Sequence, residues 1–174
     1  MMSFKEQLRE FLGDCEEKKI AVLGIGSQIR GDDAVGLEIV ERLEEYPLRD
    51  VLLLKTETVP ESFTSVLRKF NPTHILMIDA AYLGGEPGEA KIIPTQMICD
   101  VCVSTHKLPL TVLANYLTGT LGSKVTLVGI QPLSIAFGTS ITRELKAAAT
   151  KIAATIYEAI SLGSCDESDA DDSE

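Results

Sequence analysis

The chain has 174 residues, 45% of them hydrophobic and 24% charged, which suits one α/β domain with a sizeable core and excludes a second domain of similar size. With 16 Lys and Arg against 26 Asp and Glu the formal charge is −10, which argues against a protein that grips nucleic acid by neutralising phosphates. The acidity is uneven: the last ten residues, Cys165 to Glu174, hold six carboxylates and no Lys or Arg, a run typical of a solvated, disordered tail.

Taken in chain order, the N-terminus has charges throughout and no apolar stretch of signal-peptide type, so a cytoplasmic protein is expected. Phe4, Leu8, Phe11 and Leu12 recur at i, i+4, i+7 and i+8 and predict an amphipathic helix over 3–17. Ile20-Ala-Val-Leu-Gly24 reads as a buried strand, followed by a loop to Gly31. Asp32 or Asp33 then opens a helix whose buried face is Gly36, Ile39, Val40 and Leu43. A second strand covers 51–56, and Pro60 with Glu61 opens a helix running to 70. A third strand, 74–79, is apolar from Ile75 to Ile78 and ends in Asp79; such stretches are far too short to span a membrane. Ala90 to Ile93 predicts a short antiparallel strand near an edge, 109–121 a helix and 124–130 the last strand. The last helix, 140–161, carries Ile141, Leu145, Ala149, Ile152, Ile156 and Ile160 on one face.

Strands that are continuously apolar and alternate with helices imply a mostly parallel sheet of about five strands, covered on both faces. The expected fold is a three-layer αβα sandwich over 19–162, with 1–18 as a helical extension and 163–174 as the acidic tail. In such a sheet the site lies beyond the carboxyl ends of the strands. The polar residues there are the loop from Gly24 to Asp33, then Asp79, then Gln131.

Gly24-Ile-Gly26 is not completed into a dinucleotide fingerprint, since Ile29 stands where the third Gly belongs, and no Gly-Lys-Ser/Thr follows. Two acids at the start of a helix also repel a phosphate. Asp32 suits an N-cap and Asp33 is then the spare acid. Asp79 either faces the cleft or caps the next loop. Of the two His, His74 falls on the face of the sheet opposite the cleft and reads as a structural or surface residue, whereas His106 lies in a polar segment before a helix. Two carboxylates and an imidazole together would form a mixed oxygen and nitrogen site for a borderline divalent ion.

The series Gly26-Ser-Gln-Ile-Arg-Gly31-Asp32-Asp33-Ala-Val-Gly36, Ile78-Asp79-Ala80, Pro87-Gly88-Glu89, Ser104-Thr-His106-Lys-Leu-Pro109-Leu110 and Gly129-Ile-Gln-Pro132 resembles, in order and spacing, the motifs of the hydrogenase maturation endopeptidases. The resemblance spans residues 20–160. It implies a protease that trims the C-terminal extension from the precursor of the [NiFe]-hydrogenase large subunit after nickel insertion. It also implies an aspartic-type, metal-recognising site in which Asp33, Asp79 and His106 engage nickel supplied by the substrate, or another divalent metal in the isolated protein. Asp33 and Asp79 are then the catalytic acids. Apart from the resemblance, Lys107 and Gln131 are placed to hydrogen-bond the substrate peptide, unless Gln131-Pro132 simply turns the chain after its strand, and Ser27 and Arg30 are contacts at the rim of the cleft. Ser27 stands where many relatives have Asn, and Ala34 where many have Gly; the three expected ligands are unaltered.

Two other readings compete. Cys99-x₂-Cys102-x₃-His106 has the spacing of half a zinc site, but Cys15 and Cys165 are the only further cysteines and lie in the terminal segments, so packed thiols are favoured. A noncatalytic module binding a nucleotide or S-adenosylmethionine would use Gly24, Gly26 and Glu57, which follows the loop at a compatible distance. Asp32-Asp33 at the phosphate end counts against it.

Overall fold

The computed structural model describes residues 1–13, 17–101 and 109–162. Five strands, β1 (Ile20–Ile25), β2 (Val51–Glu57), β3 (His74–Ala80), β4 (Ala90–Ile93) and β5 (Lys124–Ile130), form one sheet in the order β2-β1-β3-β5-β4. All neighbours are parallel except β4, which runs antiparallel to β5 at the edge. The expected three-layer architecture is therefore the one observed.

β1 and β3 are buried at every position because helices cover both faces of the sheet. Val22, Leu76, Ile78 and Val128 point to one face, against α1 (Phe4–Leu12), α2 (Val35–Leu43) and α6 (Arg143–Ser161). Leu23, Ile75, Met77 and Leu127 point to the other, against α3 (Thr64–Phe70), α4 (Ile98–Val101) and α5 (Leu110–Leu121). Strand alternation divides the two sets, and each large aliphatic side chain removed from water contributes roughly 1.5–3 kcal/mol.

Several local expectations need correction. The first helix ends at Leu12, where Gly13 takes φ +64° and donates to the Arg9 carbonyl, rather than running to 17. It starts with a capping box between Ser3 and Glu6, and its Leu8 and Leu12 enter the same core as α2 and α6. The helices expected from 32 and from 60 each begin as a 3-10 turn, Gly31–Ala34 and Pro60–Phe63, before α2 and α3 continue them. Residues 95–101, given no element by pattern, form a 3-10 turn and the short α4. The last helix starts at Arg143 with Thr142 as its N-cap.

Helix α2 lies unusually close to the sheet. A Cβ on Gly36 would stand 2.3 Å from the Ile78 carbonyl oxygen and 2.5 Å from that of Ile25, and one on Gly24 would stand 2.5 Å from the Gly36 oxygen. Two facing glycines thus let the start of α2 rest directly on the ends of β1 and β3. Among the described residues no helix is long and apolar enough to cross a membrane.

Candidate active site

The connection leaving β1 goes to β2 on one side, while the chain leaving β3 goes on toward β4 and β5 on the other. β1 and β3 are paired neighbours, Gly24 opposite Ile78, so their carboxyl ends form the switch point where a cleft opens. Asp33 arrives there from the 3-10 turn after β1, and Asp79 from the end of β3.

Both side chains are buried, which requires donors for their carboxylates. Asp33 Oδ2 accepts from the backbone N–H of Ser27 at 2.9 Å. The loop can fold back this tightly because Gly26 sits at φ +140°, with the Asp33 carbonyl where a Cβ would be. Asp79 Oδ1 accepts from the N–H of Ala80 at 2.9 Å. Its register partner on β5 is Gly129, which has no side chain to crowd that flank.

Asp32 differs from its neighbour. It does not cap its own helix; neither the 3-10 turn nor α2 has a side-chain cap. Its Oδ2 accepts from the N–H groups of Leu133 and Ser134 at 2.9 and 3.0 Å. Its Oδ1 accepts from the N–H and hydroxyl of Thr142 at 2.7 and 2.8 Å. This carboxylate ties the β1 loop to the segment after β5 and to the start of α6. The partners lie over a hundred positions away, so no local sequence signal announces them. The only visible hint is a second buried acid beside the first.

Gln131 follows β5, and its Oε1 accepts from Leu83 and Gly84 N–H at 2.7 and 3.1 Å, while its Nε2 donates to the Pro132 carbonyl at 3.2 Å. It holds the loop that follows Asp79. Ser27 is half-buried, with its N–H engaged by Asp33. His106 and Lys107 lie outside the described residues, as does Cys102. Cys99 is exposed, with Sγ 3.0 Å from the Thr111 hydroxyl. Among the described residues no three His, Cys, Asp or Glu side chains are grouped to hold a metal ion. Asp33 and Asp79 are the described part of the expected set of three, and oxygen donors of this kind suit a borderline or hard divalent ion.

His74 is buried on the opposite face, as expected from strand parity. Its ring stands edge-on to Phe11 with centroids 5.6 Å apart, and its Nδ1 is 2.8 Å from the Thr73 hydroxyl. Burial first, then the Lys124 and Lys18 charges, pushes its pKa below the ordinary histidine value.

Comparison with known proteins agrees with this architecture. A family model described as hydrogenase maturation protease matches residues 37–159. A Methanocaldococcus jannaschii protein assigned by name to the hydrogenase maturation proteases is 37% identical over 164 residues, covering 90% of this chain and 95% of its own. The hydrogenase 3 maturation protease of Escherichia coli is 30% identical over 138 residues, 79% of this chain and 85% of its own. The crystal structure of a [NiFe] hydrogenase maturation protease from Thermococcus kodakarensis superposes with a TM-score of 0.79 at 34% identity, covering 88% of this chain and 98% of that one. Family model, sequence relatives and fold agree over residues 37–159, about seven-tenths of the chain, and the chain belongs to the hydrogenase maturation protease family.

Proposed function

We propose that this protein removes the C-terminal extension from the precursor of a [NiFe]-hydrogenase large subunit after nickel has been inserted, and that the substrate's nickel serves as the recognition element. The supporting observation is the burial of two carboxylates, Asp33 on the 3-10 turn that follows β1 and Asp79 at the end of β3, the strand paired with β1, in a chain of this family.

In this reading Asp33, Asp79 and His106 engage the nickel held by the immature subunit and so bring its C-terminal peptide across the strand ends. Polarisation of the scissile carbonyl or of a water by that cargo metal lowers the barrier to attack. One of the two Asp accepts the proton of the attacking water as general base. Ser27 and Lys107 contact the peptide, and Gln131 acts through the loop of Leu83 and Gly84 that it holds. The protein works in the cytoplasm on a folded partner, with no nucleic acid or membrane involved.

The deciding experiment is mass spectrometry of large-subunit precursors, with and without nickel, after incubation with the protein. The expected result is a mass loss confined to the C-terminal extension and to the nickel-loaded form. Equal cleavage of the nickel-free form would remove the recognition step, and no cleavage of either would overturn the function. The nucleotide-module alternative finds no support at the loop, where Asp33 backbone fills the approach to Gly26. An absence of any melting shift with dinucleotide or S-adenosylmethionine is expected.

A further inference from the structure

We propose that Asp32 is a positioning residue: its carboxylate locks residues 133–142 against the loop before it, and the wall so formed beside Asp33 is where the precursor's protein surface docks. The inference rests on the function proposed above and adds a residue and a surface to it.

The lock is visible in the hydrogen bonds. Asp32 is fully buried, and its two oxygens take four neutral donors, from Leu133, Ser134 and twice from Thr142. The backbone continues the pairing: Asp32 N–H donates to the Ser134 carbonyl at 2.8 Å, Gly31 N–H to that of Thr139 at 2.9 Å, and Gly138 N–H to that of Ile29 at 2.7 Å. Gly31, at φ +55°, permits the contact, since a Cβ there would stand 2.6 Å from the Ser134 oxygen. An acceptor-only group suits this cage of donors, whereas the amide of an Asn would turn an NH₂ toward N–H groups. With its lone pairs so occupied, Asp32 is not the acid that meets substrate; of the adjacent pair, that role falls to Asp33.

The locked loops expose apolar side chains. Ile29 is 56% exposed, Leu133 52% and Phe137 78%. They project from the loop that leads from β1 to the Asp33 turn and from the β5–α6 connection that is hydrogen-bonded to that loop. Ile29 stands four residues before Asp33 and its carbonyl is bonded to Gly138 beside Phe137, so a folded precursor that delivers a peptide bond to Asp33 is the occupant nearest to these side chains. Exposed aromatic and aliphatic side chains on a backbone that is already ordered are effective anchors, because little conformational entropy is lost on docking.

The test measures processing of the nickel-loaded precursor by the full-length protein. Phe137→Ser is expected to raise KM by about tenfold with kcat and melting temperature unchanged. Asp32→Asn is expected to raise KM similarly and to speed amide exchange at Leu133, Ser134 and Thr142 by about tenfold or more, while β3 amides keep their protection. Wild-type KM in both variants would overturn the proposal. So would a fall in kcat at unchanged KM in Asp32→Asn, which would place that acid in the chemistry. If Asp32→Asn does not fold, Phe137→Ser and Leu133→Ser decide the docking surface. A wild-type protein that cleaves no precursor would instead overturn the function on which this rests, leaving the exchange result to decide the lock alone.

Discussion

Strand β3 begins at His74 and closes on Asp79 and Ala80, so each of its ends carries a buried titratable side chain. The two have opposite fates. His74 packs edge-on against Phe11 on the α1 face, borrows the Thr73 hydroxyl, and is driven toward its neutral form by burial and nearby lysines. Asp79 lies on the other face by alternation, at the end where the connections diverge, beside the turn that brings Asp33. A buried ionisable group is therefore not by itself a mark of function. What separates these two is the end of a parallel sheet they occupy, since only the carboxyl end opens a cleft between diverging loops.

Substitutions can break this contrast, and the largest effect is expected at the acids. Asp79→Asn and Asp33→Asn should each reduce precursor processing by about 10²–10⁴-fold, the range for removing a positioned acid or base. The folded state should survive in both. Processing at the wild-type rate, read by precursor mass, would move the chemistry elsewhere. His74→Phe should leave processing within about twofold, because the imidazole sits at the far end of the strand.

Next in size is the close approach that places Asp33. Gly36→Ala inserts a methyl group 2.3 Å from the Ile78 carbonyl and should destabilise by about 2 kcal/mol or more, measured by chemical denaturation. An unchanged midpoint would show that α2 can withdraw without cost. Asp32→Asn should lower stability by about 1–3 kcal/mol, since a buried donor is left without its acceptor.

The smallest effect is the pH response of His74. Its folded pKa is below the ordinary value, so the unfolded chain binds the proton first as pH falls. The contribution of this group is unchanged well above about pH 6.5 and is lost as pH drops through that value toward the folded pKa. Replacing His74 with Phe should flatten the stability profile in that window alone; a profile identical to wild type there would show that the imidazole has the same pKa in the folded and unfolded chain.

Much of the fold was legible because its signals are local. The apolar runs of β1 and β3 are continuous, the helices repeat their apolar residues every three or four positions, and the short β4 is bounded by turn residues. Helix ends were less legible: Gly13 stops α1 early, and the turns at Gly31–Ala34 and Pro60–Phe63 tighten the starts of two helices. The site was half legible. Asp79 follows from the end of a strand and Asp33 from being the spare acid beside Asp32, but the way Asp32 is held does not, because it caps no helix of its own and its donors come from Leu133, Ser134 and Thr142.

By itself the sequence determined the order and type of the five strands and the longer helices, the layered architecture and, through its motif series, the family, since periodicity and turn chemistry act within a few residues. Tertiary structure alone decided how Asp32 joins the scaffold, as a tie between distant segments rather than as a helix cap. The donors that engage Asp32 come from Leu133, Ser134 and Thr142, brought to it only when β5 pairs with β3 and α6 packs on α2. A carboxylate surrounded by neutral N–H groups is fixed by them, and the choice between structure and chemistry at such a residue belongs to contacts that no local pattern encodes.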